Sequence, residues 1–284
     1  MSLTEKEFRA AKRNMFTLCI ESFLNSSLLR KTKFALNKPF SMIKLKSEIS
    51  HAVYLNWLIP VSKIQQFVPP EIELDIIDGC ALFSVLTYRH GHFGPARLYH
   101  FKSFYRSPLQ CNWRLYITQA ERQFNEPTVL FLSNTMSSQV YGIGSRIFSG
   151  MMYTHHPLIF EHEYIGRQTQ TKIIPGSSNS PDLEVVCHPC EHWDIPDKFR
   201  NISSSVSQLL NKIIIQDHAL TPLGNGYFRM ADIALEFNTK EIRPLKIKSF
   251  KSKILYDIVQ DEVCFAFEIP SVTFFMHHEK TIKL

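Results

Sequence analysis

What this 284-residue chain lacks narrows its chemistry quickly. No uncharged apolar run approaches the ~18 residues that a membrane-spanning helix needs, so no such span is expected. Six cysteines in a chain of this length do not make a disulfide scaffold. Cys19, Cys80, Cys111 and Cys264 stand singly in apolar surroundings and read as small buried hydrophobes. The opening MSLTEKEFRAAKRNMF has neither the continuous apolar core nor the small-residue cleavage site of a secretory signal, which makes a reducing cytoplasm the expected compartment. There is no HExxH, no GxSxG, no phosphate loop and no dinucleotide glycine fingerprint. Clustered Lys and Arg interleaved with aromatics on a strand are also missing, so nucleic-acid binding is not expected. The net charge of +6 is a mild excess that suits an anionic ligand or a membrane surface.

What is present is globular and strand-rich. Hydrophobic content is 44% and charged content 20%, so disorder does not dominate, and 22 phenylalanines supply bulk for the inside of a β structure. From about residue 41 the pattern has period two. SEISHAVYLNW reads as a strand, and PVSKIQQFVPP as a short helix bounded by Pro60 and Pro69-Pro70. In VPPEIELDIIDGCALFSVL, alternating Ile72, Leu74 and Ile76 lead into Asp78-Gly79, whose residue types tolerate the positive φ of a tight hairpin turn. Further strands are expected at HFKSFYRS, NWRLYIT, TVLFLSN, PLIFEHEYIG, QTKII and LEVVCH, and later over 226–237 and 262–276. Helices are expected over 137–148 and 197–212. Many short strands joined by turns predict a mainly β (α+β) fold, an antiparallel barrel or sandwich.

Residues 4–29 predict an amphipathic helix capped by Thr4, with Phe8, Met15, Cys19 and Phe23 near one face. The basic stretch RKTKFALNK follows. Two readings stand: a helix docked on the domain or on a partner chain, and an interfacial helix lying on a membrane. The chain therefore divides into an N-terminal helical extension, 1–40, and a β domain, 41–284.

Four segments in order carry a family resemblance: LNWLIPVSKIQQFVPPEIELDIIDGCALFSVL, NWRLYI, TVLFLSN and YGIGSRIFSGMMY. Together they resemble the uncharacterised YqjF-like family of the acetoacetate decarboxylase-like superfamily, over residues 48–160. Asn112, Arg114 and Tyr116 match that family's middle strand, and Gly144, Arg146 and Tyr153 its following helix and exit. The resemblance implies a cone-shaped β-barrel with a central cavity and no assigned activity. It also raises decarboxylation, which in this superfamily uses an adjacent Lys-Lys pair, one amine depressing the pKa of the other so that it can form a Schiff base. No Lys-Lys dipeptide occurs in this chain. The matching strand offers only Arg114, which stays protonated and forms no imine. Lone Lys102 and the i,i+2 pairs Lys246 and Lys248, and Lys251 and Lys253, are the remaining candidate amines, and Schiff-base chemistry is not expected.

Arg114 is the better clue. At period two, Asn112, Arg114 and Tyr116 share one strand face while Trp113, Leu115 and Ile117 share the other. Facing a cavity, Arg114 would grip a carboxylate through two hydrogen bonds, with Asn112 and Tyr116 as polar partners; facing a core, it would form an ion pair with an Asp or Glu. Arg146 carries the same two readings. Cys187, His188, Cys190 and His192 fall within six positions in VCHPCEHWD, but a structural zinc site usually needs two pairs separated by a loop. The second would have to come in space from His155-His156, His277-His278 or Glu191, and no metal and no cofactor is expected. The expected function is binding of a small organic (keto) acid or a lipid-like ligand, with a small-molecule lyase acting on an organic acid as the alternative.

Overall fold

The structure is a computed structural model and describes residues 4–29, 32, 42–118, 124–151, 153–259 and 262–284. Thirteen strands follow in chain order: β1 Leu45–Pro60, β2 Ile76–Ile77, β3 Cys80–Arg89, β4 Gly94–Pro95, β5 Leu109–Ile117, β6 Thr128–Met136, β7 Ile159–Ile165, β8 Gln168–Ile174, β9 Leu183–Pro189, β10 His218–Gly224, β11 Tyr227–Phe237, β12 Arg243–Lys251 and β13 Phe265–Lys283. Seven of them close a barrel in the order β1-β3-β5-β6-β10-β11-β13, with β13 pairing back onto β1 from Leu45↔Met276 to Asn56↔Phe265. The barrel pairings are antiparallel except β6–β10, which run parallel from His218↔Thr128 to Leu220↔Leu130. A parallel pair needs a crossover, and residues 137–217 provide one. Helix α1 (Met15–Leu24) precedes the barrel, and the crossover carries α2 (Gln139–Phe148) and α3 (Val206–Ile214).

A second sheet, β12-β9-β8-β7, leaves the barrel where β12 pairs with β13 and packs over the outside of β1, β3 and β5. This explains why every residue of β5 is buried. Its outward side chains Cys111, Trp113 and Leu115 join Trp57, Phe83 and Val185 between the two sheets. Its inward ones, Gln110, Asn112, Arg114 and Tyr116, face the barrel interior as the period-two reading expects. A last helix, α4 (Lys253–Val259), adds Leu255 and Ile258 to the layer between the sheets. The end of the barrel beneath Tyr116 is closed by α3. Its Leu209, Leu210, Ile213 and Ile214 sit against Val129, Phe199 and Phe265. Burying those four side chains contributes on the order of 6–12 kcal/mol before entropy.

Several expectations change in detail. Asp78 (φ 49°) and Gly79 (φ 75°) do form the turn, but only Ile76 and Ile77 pair with β3. In the barrel β3 lies between β1 and β5, and the alternating run before the turn meets the barrel again where Leu74 bridges Ile117. HFKSFYRS is no strand: residues 96–104 coil in 3-10 turns. The helix expected over 197–212 splits into a single turn, Asp197–Arg200, and α3. The serine run between them is the physical reason. Ser203 Oγ accepts from the Ser205 N–H and donates to Gln208 Oε1, so the hydroxyls compete with helical hydrogen bonds.

The N-terminal segment also differs. Residues 4–14 are not helical. Asn14 caps α1, accepting from the Thr17 N–H at 2.9 Å while the Thr17 hydroxyl accepts from the Asn14 N–H at 2.8 Å. Cys19 is exposed rather than buried; Cys111 is buried, and Cys80 and Cys264 lie between. The basic stretch 30–38 lies, apart from Thr32, outside the described residues. Among the described residues no helix is long and apolar enough to cross a membrane.

Candidate ligand-binding site

All seven barrel strands contribute side chains to one cavity of about 520 Å³. That volume lies within the usual range of small-molecule sites, roughly 300–1,000 Å³. Its walls are mainly apolar, with Ile49, Leu86, Ile233, Leu235, Val272 and Phe274 among them. Helix α2 and residues 93–95 lie across its mouth. There Gly94 lets the Tyr105 ring press onto bare backbone: a Cβ on residue 94 would sit 2.5 Å from Tyr105 Cδ2.

Arg114 lines this cavity and is 3% exposed. Its Nη2 donates to the Ile213 carbonyl at 3.0 Å and to the Tyr116 hydroxyl at 3.2 Å. Its Nε is buried, with no partner among the described residues. Ile213 lies in the last turn of α3, where backbone carbonyls have no intrahelical donor and carry the negative end of the helix dipole. The guanidinium is therefore met by a partial charge only. Among the described residues no carboxylate pairs with it. The cavity's own acid, Glu279, is answered elsewhere: Arg229 Nε lies 3.0 Å away, and the Ser149 hydroxyl and the Gly150 N–H also donate to it. A β-bulge falls beside Arg114, since Trp113 opposes Ser133 and Arg114 opposes Phe131, leaving Leu132 of β6 as the extra residue. Bulges of this kind bend a strand and re-aim a side chain.

Tyrosines surround the guanidinium. Its Cζ lies 5.5 Å from the Tyr54 ring centre and 5.4 Å from that of Tyr116. Tyr54 is held by stacking on Phe267 at 4.7 Å. Burial pushes the Tyr54 hydroxyl up to about 12 and raises Tyr88 further, so both remain neutral near pH 7.

Above Arg114 runs a chain of neutral polar groups. Asn112 Nδ2 donates to the Tyr88 hydroxyl at 3.1 Å, and Gln110 Nε2 donates to Asn112 Oδ1 at 3.0 Å and to Asn134 Oδ1 at 2.9 Å. Gln110 Oε1 lies 2.6 Å from His90 Nε2, and Asn134 Nδ2 donates to Thr154 Oγ1 at 2.7 Å. Burial lowers the His90 imidazole to about 4, so it is neutral at pH 7.

The structure places the candidate residues unequally. Asn112 and Arg114 line the cavity together. Tyr116 lies just beneath, its hydroxyl donating to the Ile213 carbonyl at 2.9 Å and 3.0 Å from Ser84 Oγ. Arg146 is not among the lining residues. Its Nε donates to the Thr154 carbonyl at 2.6 Å and its Nη1 to the Lys6 carbonyl at 2.9 Å, and it lies over the rings of Phe8 and Tyr153. Burial lowers its pKa to about 10. It ties the N-terminal segment to the barrel. Replacing it with Met should cost about 2 kcal/mol for the carbonyls left unpaired and make residues 4–12 the first site of limited proteolysis.

Sequence reasoning misses Gln110, His90 and Asn134 as site residues. Gln110 is two positions before Asn112 on the same face, so a signal for it exists; Asn134 is its cross-strand neighbour only through the β5–β6 register. The candidate lysines lie elsewhere: Lys102 pairs with Glu48 at 3.0 Å, Lys248 is exposed, and Lys246 lines a separate cleft of about 490 Å³ between the barrel and the second sheet. Cys190 and His192 line that cleft, while Cys187 is buried in the core, which pushes its thiol up to about 12. Among the described residues no three His, Cys, Asp or Glu side chains converge as metal ligands.

Comparisons with known proteins agree with this architecture. The acetoacetate decarboxylase from Legionella pneumophila subsp. pneumophila str. Philadelphia 1 superposes with a TM-score of 0.58 at 10% identity, covering 84% of this chain and 86% of its own. The enduracididine biosynthesis enzyme MppR, solved with HEPES buffer bound, gives 0.57 at 10% identity over 85% and 88%. An acetoacetate decarboxylase-like enzyme from Sphingomonas wittichii RW1 gives 0.55 at 6% identity over 84% and 93%. At these identities the likeness concerns the fold alone. No curated protein sequence matches the chain. Residues 46–202, more than half of the chain, match the DUF2071 family of uncharacterized conserved proteins. The chain belongs to the DUF2071 family, built on an acetoacetate decarboxylase-like barrel.

Proposed function

We propose that the barrel binds an organic acid with an apolar body, its carboxylate on Arg114 and its hydrocarbon along Leu86, Leu235 and Phe274. The observation that carries this reading is the buried guanidinium, which lines a cavity, meets no carboxylate among the described residues and keeps an unpartnered Nε. An unpaired buried charge is costly, and a ligand carboxylate supplies both the missing charge and the missing acceptor. Neutral Tyr54, Tyr88 and Asn112 add polar contacts without adding charge.

Binding proceeds in this reading without an imine. Among the described residues no lysine lines the central cavity, so the amine that Schiff-base chemistry requires is not at hand. Neutral tyrosines and a neutral His90 also make poor partners for the protonation step of a decarboxylation at neutral pH. The fold neighbour MppR has been solved in complex with pyruvate, which supports a keto acid as one member of the ligand class. The six free thiols support a reducing, cytoplasmic compartment.

Calorimetry with octanoate and octanol tests the reading. Octanoate should bind, and octanol should bind roughly tenfold or more weakly, since it lacks the charge that Arg114 would meet. Equal binding of the two sinks the carboxylate grip. Incubation with pyruvate and borohydride should leave the protein's mass unchanged; a stable adduct on a lysine would overturn the dismissal of imine chemistry.

A further inference from the structure

The rim of the cavity has a character that its interior does not explain. Ile43, Val140 and Phe148 line the cavity and are also exposed, so they mark its mouth. Between the cavity-lining Pro95 and Tyr105, residues 96–104 carry Leu98, Phe101 and Phe104 outward, Phe104 at 82% exposure. Three segments make this rim, and hydrogen bonds hold them side by side. The Ala96 N–H donates to the Lys44 carbonyl at 2.8 Å. The Tyr141 hydroxyl of α2 donates to the Phe93 carbonyl at 2.9 Å and accepts from the Arg106 N–H at 3.2 Å.

The charge on the rim is predominantly positive. Residues 42–46, 91–106 and 139–148 contain Lys44, Lys46, Arg97, Lys102 and Arg106, besides the buried Arg146, and no Asp or Glu. Glu48, whose N–H donates to the Gly91 carbonyl, is paired with Lys102 at 3.0 Å, and Glu279 in the cavity wall is paired with Arg229 at 3.0 Å. Among the described residues, Lys44, Arg97 and Arg106 are exposed and have no acidic partner. Six exposed apolar side chains surrounded by unpaired cations form a surface that water solvates poorly and an anionic interface solvates well.

We propose that the mouth of the barrel docks on an anionic lipid bilayer, with Leu98, Phe101 and Phe104 entering the headgroup region and Lys44, Arg97 and Arg106 meeting lipid phosphates. The surface is continuous with the cavity, so an amphipathic acid passes between bilayer and barrel without crossing bulk water; this last step alone rests on the acid-binding reading. A second copy of the chain is a poorer occupant. A twofold contact would bring the same patch against itself, cation against cation.

Co-sedimentation tests the docking with vesicles of phosphatidylcholine alone and of phosphatidylcholine mixed with phosphatidylglycerol. The full chain should pellet with the mixed vesicles and stay in solution with the neutral ones. Phe104→Glu should abolish pelleting, and the Arg97→Glu/Arg106→Glu double variant should weaken it by roughly tenfold or more. These residues are exposed and outside the cavity, so melting temperature and octanoate binding in solution should match wild type. The proposal is overturned if wild type does not pellet with mixed vesicles or if Phe104→Glu pellets as well as wild type. It is equally overturned if the patch instead forms a concentration-dependent dimer that Phe104→Glu dissolves. Failure of octanoate to bind wild type, with pelleting intact, would count against the cavity reading and leave the docking standing.

Discussion

Arg114→Met should weaken octanoate binding more than a hundredfold while the protein melts at or above the wild-type temperature. The two halves of this result come from one fact: the guanidinium is buried and offset by no carboxylate among the described residues. Desolvating a cation costs several kcal/mol, and replacing buried charge with a well-packed apolar side chain of similar volume is often neutral or stabilising. Little is left unsatisfied by the change. Tyr116 still donates to the Ile213 carbonyl at 2.9 Å, so the acceptor that Arg114 shares remains occupied. For the ligand the outcome reverses. A carboxylate brought beside the variant's unbranched thioether chain would lose its charge-assisted hydrogen bonds while remaining desolvated, a penalty of about 3 kcal/mol or somewhat over a hundredfold in Kd. Calorimetry and a thermal melt on the same preparation check both. A large fall in melting temperature would mean that the guanidinium serves the fold, and unchanged octanoate affinity would mean that it does not face the ligand.

A comparably large effect is expected on acidification. His90, His155 and His162 are buried, and burial lowers them to about 4, 3 and 4; Arg146 beside His155 lowers that ring further. Each neutral ring is held by hydrogen-bond partners. His162 lies between Thr171 Oγ1 and the His51 carbonyl, both at 2.8 Å, and His155 Nε2 lies 3.0 Å from the Glu5 carbonyl. In the unfolded chain each imidazole titrates near its ordinary value of about 6.5. Between pH 6.5 and the folded values the unfolded state therefore binds more protons, and stability falls as pH falls through that window. From pH 7 to pH 5 each histidine removes about 2 kcal/mol, together a large share of the stability of an ordinary domain. Thermal melts across that interval measure the slope, and His155→Gln should flatten it by about a third of the total. A melting temperature that stays level between pH 7 and pH 5 would show that these rings are not held neutral.

The barrel was largely legible in the chain because closed sheets impose a local rule. Alternation places NWRLYI with Asn112, Arg114 and Tyr116 on one side and Trp113 and Leu115 on the other, and both sides are found where that rule puts them. Asp78-Gly79 turns as its residue types require. Errors collected where local preference was weak or contested. Thr4 is a competent cap, yet residues 4–11 run over the barrel without helix because Lys6, Glu5, Glu7 and Ala11 give their carbonyls to Arg146, His155, Asn179 and the Ser177 N–H. HFKSFYRS has strand-forming residues, but the free edge at the start of β1 is taken by β4, and residues 96–104 coil instead.

The candidate site divides along the same line. From residue order alone came the inward polar stripe on β5, the lack of a lysine pair, and a cation whose neighbours two places away are polar. Whether that cation would meet an acid was not decidable from order, since ion-pair partners come from any distance in sequence. Packing decided it. The carbonyl that meets Arg114 belongs to Ile213, 99 residues away, and reaches it only because α3 closes the barrel's end. The buried acid in the cavity wall, Glu279, is instead claimed by Arg229, 50 residues from it, through the pairing of β11 with β13. A strand's faces follow from its own period, but the charge balance of a cavity is a property of everything that surrounds it.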